Sequence, residues 1–345
     1  MATATLTTEP ALPVASFGTP RWLHVVAVAT AVAALPLLFL GAEVTTKQVG
    51  LVDQQGLRQP WHLFTEVSKG IDEHGRRYLT DVANWGLLIE HSHRTFGWLV
   101  GMGAITLALG LGFGQNHRWL RWMGLVALVA VVCQGVLGIL RVNLHALAGR
   151  EFAMIHGCTA QLVFAFLVSI AYLTSSGWKN VVGGELAGAT SDSRLRRLAL
   201  LTAGLVYLQI VFGAIVRHTD AAIGPRVHLL LAFAVVASAA TLGATYWMNR
   251  ARDVRLAVHL KILFGLVALQ LVLGVEAWLS KFVTDGRWVQ LKPLTAYPDL
   301  ARSLHLLIGS FLFATTVVIT LHSYLGRSMT PSATATPVRQ VEAMA

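Results

Sequence analysis

Charge is scarce in this chain. Charged residues make up 13% of its 345 positions and hydrophobic residues 55%, whereas soluble domains carry about 25% charged residues. That balance excludes an ordinary soluble globule. Cysteine is nearly absent: Cys133 and Cys158 both lie inside apolar runs. A disulfide framework on an outer face and a CxxC metal or redox pair are therefore excluded. No HxxxH or HExxH pair stands beside a thiol or carboxylate to close a compact zinc site. Residues 1–20 hold no Lys or Arg, so they match neither a secretory signal nor an Arg-rich transit peptide. The first apolar run is expected to stay in the mature protein. The formal net charge of +10 is scattered through short loops. Anchors flanking a membrane account for it, and nucleic acid is not an expected partner.

What the chain does have is long apolar runs. Eight are long enough to cross a bilayer, which takes about 20 residues: 22–42, 91–113, 120–141, 153–174, 199–217, 227–247, 257–279 and 302–324. The expected fold is an all-α polytopic membrane protein. Residues 1–21 and 325–345 read as disordered ends. Residues 175–198, rich in Ser and Gly, read as a linker. It divides the chain into two four-helix bundles, 22–174 and 199–324. The halves look repeated. Gly41-Ala42-Glu43-Val44 closes span one as Gly213-Ala214-Ile215-Val216 closes span five. A Gln-xxx-Gly pattern recurs at Gln134–Gly138, Gln209–Gly213 and Gln270–Gly274. Glycine-rich faces are also ordinary close-packing surfaces.

The even-numbered spans carry the chemical signal. Each begins with a histidine: His93, His156, His228 and His305. Even spans all start on one membrane side, so the four imidazoles share a level. Two per half suit a bis-histidine site in each bundle, and imidazole is a common ligand of metals and heme iron. Arg94, Arg217, Arg226 and Arg302 lie at the same level and suit heme propionates by charge-assisted hydrogen bonds. The stretch Glu90-His91-Ser92-His93-Arg94 adds a carboxylate. On a helix Glu90 shares a face with His93 and Arg94, while His91 points about 200° away from His93. Taken alone it also reads as a polar helix start, with Glu at the positive dipole end. The C-terminal half has Gly224-Pro225-Arg226 before His228 and no Glu there. His62, His74, His145 and His218 read as outer-surface histidines. The basic short connections 114–119 and 248–256 favour a cytoplasmic N-terminus, with the histidine level toward the outer face.

These residues resemble the heme A synthase family. Glu90-His-Ser-His93-Arg94 resembles its Glu-x-x-His-Arg signature, and Ile155-His156-Gly157 the histidine of its fourth span. Gln209 to Asp220 (QIVFGAIVRHTD) is similar to the segment closing its fifth. Arg226-Val-His228 and Ser303-Leu-His305 sit where its sixth and eighth spans carry histidine. The resemblance covers about 22–324. It implies two pseudo-symmetric four-helix bundles and the oxidation of heme O to heme A, the methyl at ring position 8 becoming a formyl. His93 and His156 would bracket the substrate heme, with Arg94 beside it and Glu90 as the catalytic carboxylate. His228 and His305 would ligate a permanent heme b, with Arg217, His218 and Arg302 nearby. It also implies a plasma-membrane location, heme O synthase and cytochrome oxidase assembly proteins as partners, and a possible homo-oligomer. Many bacterial members carry a cysteine pair in the first outer loop; here 43–90 has none.

Other functions fit parts of the pattern. A di-heme b-type electron carrier would need the four histidines but not Glu90. A heme-binding assembly factor without chemistry would fit the missing cysteines. A transporter would place charges at the bilayer midplane, and here they cluster at span ends.

Overall fold

The computed structural model describes residues 19–51, 85–114, 117–175, 192–248, 253–282 and 297–328. Eight helices account for nearly all of them: α1 Arg21–Thr46, α2 Trp85–Gly114, α3 Arg118–Asn143, α4 His145–Thr174, α5 Ser193–His218, α6 Ile223–Met248, α7 Val254–Phe282 and α8 Pro298–Ser328. All eight are long and apolar enough to span a membrane. The molecule is apolar on its outside: Phe113, Leu230 and Phe233 are exposed on helix surfaces. Helices satisfy their own backbone groups, so lipid can cover such faces at no hydrogen-bonding cost.

Several ends differ from the sequence expectation. The linker expected over 175–198 stops sooner, because α5 begins at Ser193. Asp192 caps it, its Oδ1 accepting from the Arg194 amide at 2.8 Å; Ser-Asp-Ser here is a helix start rather than a flexible run. Likewise α8 continues to Ser328, past the expected start of a disordered tail. At the N-terminus α1 begins at Arg21, inside the end expected to be disordered; the rest of that expectation over 1–18 and 329–345, the linker stretch 176–191, and His62 and His74 lie outside the described residues.

Each half closes into a ring of four. In the first, α1 packs on α2, α2 on α3, α3 on α4 and α4 back on α1. The second repeats this with α5, α6, α7 and α8. Between the halves, α1 touches α8, α4 touches α5, and α4 touches α8. Exchanging the halves turns the first contact into the second and the third into itself, the pattern of a two-fold pseudo-symmetric pair. Their seam contains the Phe164–Phe311 edge contact, with ring centroids 6.0 Å apart.

The symmetry is imperfect where α6 meets α7. In the first half, Gly124 lets α3 settle onto α2; a Cβ there would lie 3.2 Å from the Ala108 Cα. The repeat register puts fully buried Leu260 at that place in α7. Between α6 and α7 the Phe264 ring lies against Gly243 and stacks on Trp247 at 5.7 Å, and these two helices touch sparsely.

Candidate functional site

All four histidines lie well inside their helices rather than at the first turn. Glu90, too, is more than a turn past Trp85, so it does not cap a helix dipole. The sequence pattern placed these groups at span starts because the polar outer turns of each helix fall outside the apolar runs.

Each ring backs onto a glycine of the preceding helix. A Cβ on Gly41 would lie 2.8 Å from the His93 Cε1. The same distance is 3.6 Å for Gly138 and His156, 3.0 Å for Gly213 and His228, and 3.1 Å for Gly274 and His305. The glycine repeat read in the sequence therefore has a mechanical use: it makes room for an imidazole against a helix backbone. His93 Nδ1 donates to the Leu37 carbonyl at 2.9 Å, and His228 Nδ1 to the Gln209 carbonyl at 3.1 Å. A carbonyl only accepts, so Nδ1 carries the proton and Nε2 the lone pair. The carbonyls of Gln134 and Gln270 face His156 and His305 in the same sense, short of full hydrogen-bond geometry.

The two halves then diverge. In the second, the Gln209 and Gln270 amides donate to Nε2 of His228 and His305, at 3.3 and 3.2 Å. In the first, Leu37 replaces the glutamine on α1, and Gln134 turns away to donate to the Thr159 hydroxyl at 2.6 Å. The buried glutamates also differ in place: Glu43 and Glu90 lie in the first half, and Glu276, two residues past Gly274, in the second. Glu90 is buried, and its Oε1 accepts from Arg94 at 2.7 Å. His91 is buried on the same helix.

Heme fits the second half by spacing. The His228 and His305 rings have centroids 6.4 Å apart. Two metal–imidazole bonds of about 2.0 Å end to end, plus a half-ring of roughly 1.2 Å at each end, span about 6 Å. His93 and His156 are close enough to interact electrostatically. Among the described residues no group of three His, Cys, Asp or Glu is arranged to hold a bare metal ion. A flat macrocycle with one histidine on each face suits these pairs better than an isolated cation.

The cations at this level are brought together only in part. Arg217 reaches across the seam, donating to the Ala42 carbonyl at 2.6 Å and the Thr46 hydroxyl at 2.5 Å. Arg302 pairs with Asp299 at 2.5 Å, while its buried Nε has no partner. Arg226 is exposed and stands apart. His218 is half-buried, within electrostatic reach of Arg217, Arg141 and Lys281. It borders a cavity of about 150 Å³ lined also by Arg150, Glu151 and Met154. His145 is exposed at the start of α4. Arg141 was not singled out from the sequence. It ends α3 one turn beyond Gly138, within reach of Glu90, His93 and His156. A lone cation at a span end has the look of an interface anchor, and no local pattern distinguishes this one.

A second polar cluster lies at the opposite end of the bundles, also unread in the sequence. Buried Asp253 pairs with buried His322, and Tyr172 meets His322 Nδ1 at 2.5 Å.

Residues 80–225 match the family described as cytochrome oxidase assembly protein. No curated protein matches the chain. The match bears out the family resemblance over that stretch and supports a role in cytochrome oxidase assembly. It takes in Glu90, His93, Arg94, Arg141, His156, Arg217 and His218, and stops short of His228 and His305.

Proposed function

We propose that this membrane protein converts heme O to heme A, oxidising the porphyrin methyl at ring position 8 to a formyl group for cytochrome oxidase biogenesis. The observation that carries the proposal is an asymmetry between two otherwise matched histidine pairs: buried Glu90 stands three residues before His93 and pairs with Arg94, whereas that place before His156, His228 and His305 holds Ala153, Pro225 and Arg302.

His93 and His156 hold the substrate heme from its two faces. Each ring is fixed against a glycine, and the Nδ1 bond of His93 keeps its Nε2 lone pair directed at the substrate. Oxidation develops positive charge on the methyl carbon. Glu90, paired with Arg94, stabilises that charge or accepts the proton released there. Burial keeps water from weakening the interaction. His228 and His305 hold heme b, which supplies one-electron transfer when bound. The Gln209 carbonyl fixes the His228 ring through Nδ1, the Gln209 and Gln270 amides would yield Nε2 of His228 and His305 to the iron, and Arg217, His218 and Arg302 would serve the propionates. The chain lies in the plasma membrane with its N-terminus in the cytoplasm and the histidines toward the outer face. Heme O synthase is the natural donor of its substrate, cytochrome oxidase assembly proteins receive the product, and self-association is compatible with the exposed helix faces.

The test is heme extraction from membranes of a heme O-producing host expressing the chain. Heme A in the extract supports the enzyme. Bound heme b with heme O unchanged would instead indicate a di-heme carrier or a non-catalytic assembly factor.

A further inference from the structure

Three guanidinium groups gather around the end of α1, where the two halves join: Arg217 bonds Thr46, the Thr46 hydroxyl lies 3.5 Å from Ser303 beside Arg302, and the Arg141 guanidinium lies against Gly50. Arg141 comes from α3, Arg217 from α5 and Arg302 from α8. Each sits about one helical turn outward of a histidine or of the glycine packed on one: Gly138, Gly213 and His305. Arg217 lies within electrostatic reach of both Arg141 and Arg302.

Carboxylates do not neutralise this group fully. Glu90, within electrostatic reach of Arg141, is engaged by Arg94 at 2.7 Å; Glu43, within reach of Arg217, has Lys47 at 3.7 Å; and Asp299 is shared by Arg302 and Lys47, the latter at 3.5 Å. The bonds of Arg217 go to neutral oxygens. Arg141 is half-buried and makes no hydrogen bond or ion pair to a described residue. Arg302 Nε is buried and unpartnered. Like charges drawn together away from bulk water repel and lose hydration, and an anion that bonds them recovers both.

We infer that Arg141 and Arg217, with Arg302, form one carboxylate-binding centre shared by the two porphyrin sites. Arg141 takes a propionate of the porphyrin in the first half; Arg217 and Arg302 take those of the porphyrin in the second. Because the guanidiniums repel one another, a carboxylate on one side eases the cost of cation crowding on the other. Occupancy of the substrate site is thereby coupled to the electrostatics of the heme b site. This inference rests on the proposed heme sites and adds Arg141 and the coupling.

The test uses the full chain carrying heme b in its second half, titrated with zinc protoporphyrin, which is redox-silent, and with its dimethyl ester. Binding is read by porphyrin fluorescence, and heme b by its midpoint potential. The diacid should bind roughly fivefold or more tighter than the diester. It should also lower the heme b potential, since an added negative charge favours the ferric state. Arg141→Gln should remove both effects while leaving the heme b spectrum intact, and Arg141→Lys should retain them in part. Equal binding and equal shifts with diacid and diester would overturn the shared centre alone. If neither porphyrin binds in a manner dependent on His93 and His156, the first-half heme site itself fails, and this inference with it.

Discussion

The imidazoles of His228 and His305, on α6 and α8, stand edge to face with ring centroids 6.4 Å apart and planes at 73°. That spacing leaves room for one metal centre between two nitrogens. Replacing either His228 or His305 by Ala should abolish a low-spin heme b spectrum in the purified protein. An unchanged spectrum in both variants would remove the assignment of heme b to this half.

The glycine contacts give a graded expectation. Gly41→Ala puts a Cβ 2.8 Å from the His93 ring, on a rigid helix, so the ring must move. Gly138→Ala puts one 3.6 Å from His156, which is ordinary contact. Heme content of the first half should fall several-fold in Gly41→Ala and stay near wild type in Gly138→Ala. Equal loss in both would show that the close approach does not set the ring position.

At the opposite end, Asp253, His322 and Tyr172 tie α4 of the first half to α7 and α8 of the second. Asp253 also starts α7, accepting from the Arg255 amide at 2.8 Å. Burial pushes its carboxyl up, but the His322 partner and the Arg255 and Leu256 amides more than offset this, so the group is held below the usual carboxylate range. A depressed folded pKa means that stability is present above the ordinary carboxylate value and is lost as pH falls through the folded one. Asp253→Asn should cost about 3–5 kcal/mol, since it strands a buried imidazole. Tyr172→Phe should cost about 1 kcal/mol. Thermal unfolding in detergent or nanodiscs measures both, and the Asp253→Asn protein should show a flatter acid limb. Wild-type stability in Asp253→Asn would contradict the pairing.

Much of this molecule is legible in the chain because its signals are local. Eight apolar runs give eight helices, and Glu90 and Arg94, one turn apart, share the face read for them, where they pair with each other. The Gln-xxx-Gly repeat marked the faces on which the histidines rest. What escaped was non-local. Asp253 and His322 are 69 positions apart, and Tyr172 and His322 150; nothing near either histidine or tyrosine in sequence announces a partner. Arg141 acquires meaning only from α4 and α5 beside it. Arg226 illustrates the converse. Its level in the membrane was readable, but not its direction, and it points outward while Arg217 points across the seam.

The central claim is that Glu90 serves the oxidation of a porphyrin methyl while the histidines do the binding. The most direct measurement is the heme inventory of purified Glu90→Gln protein from a heme O-producing host, compared with wild type by extraction and chromatography. Wild type should contain heme A and heme b. Glu90→Gln should contain heme b and heme O, with heme A lost. Heme A at wild-type levels in Glu90→Gln would contradict the assignment.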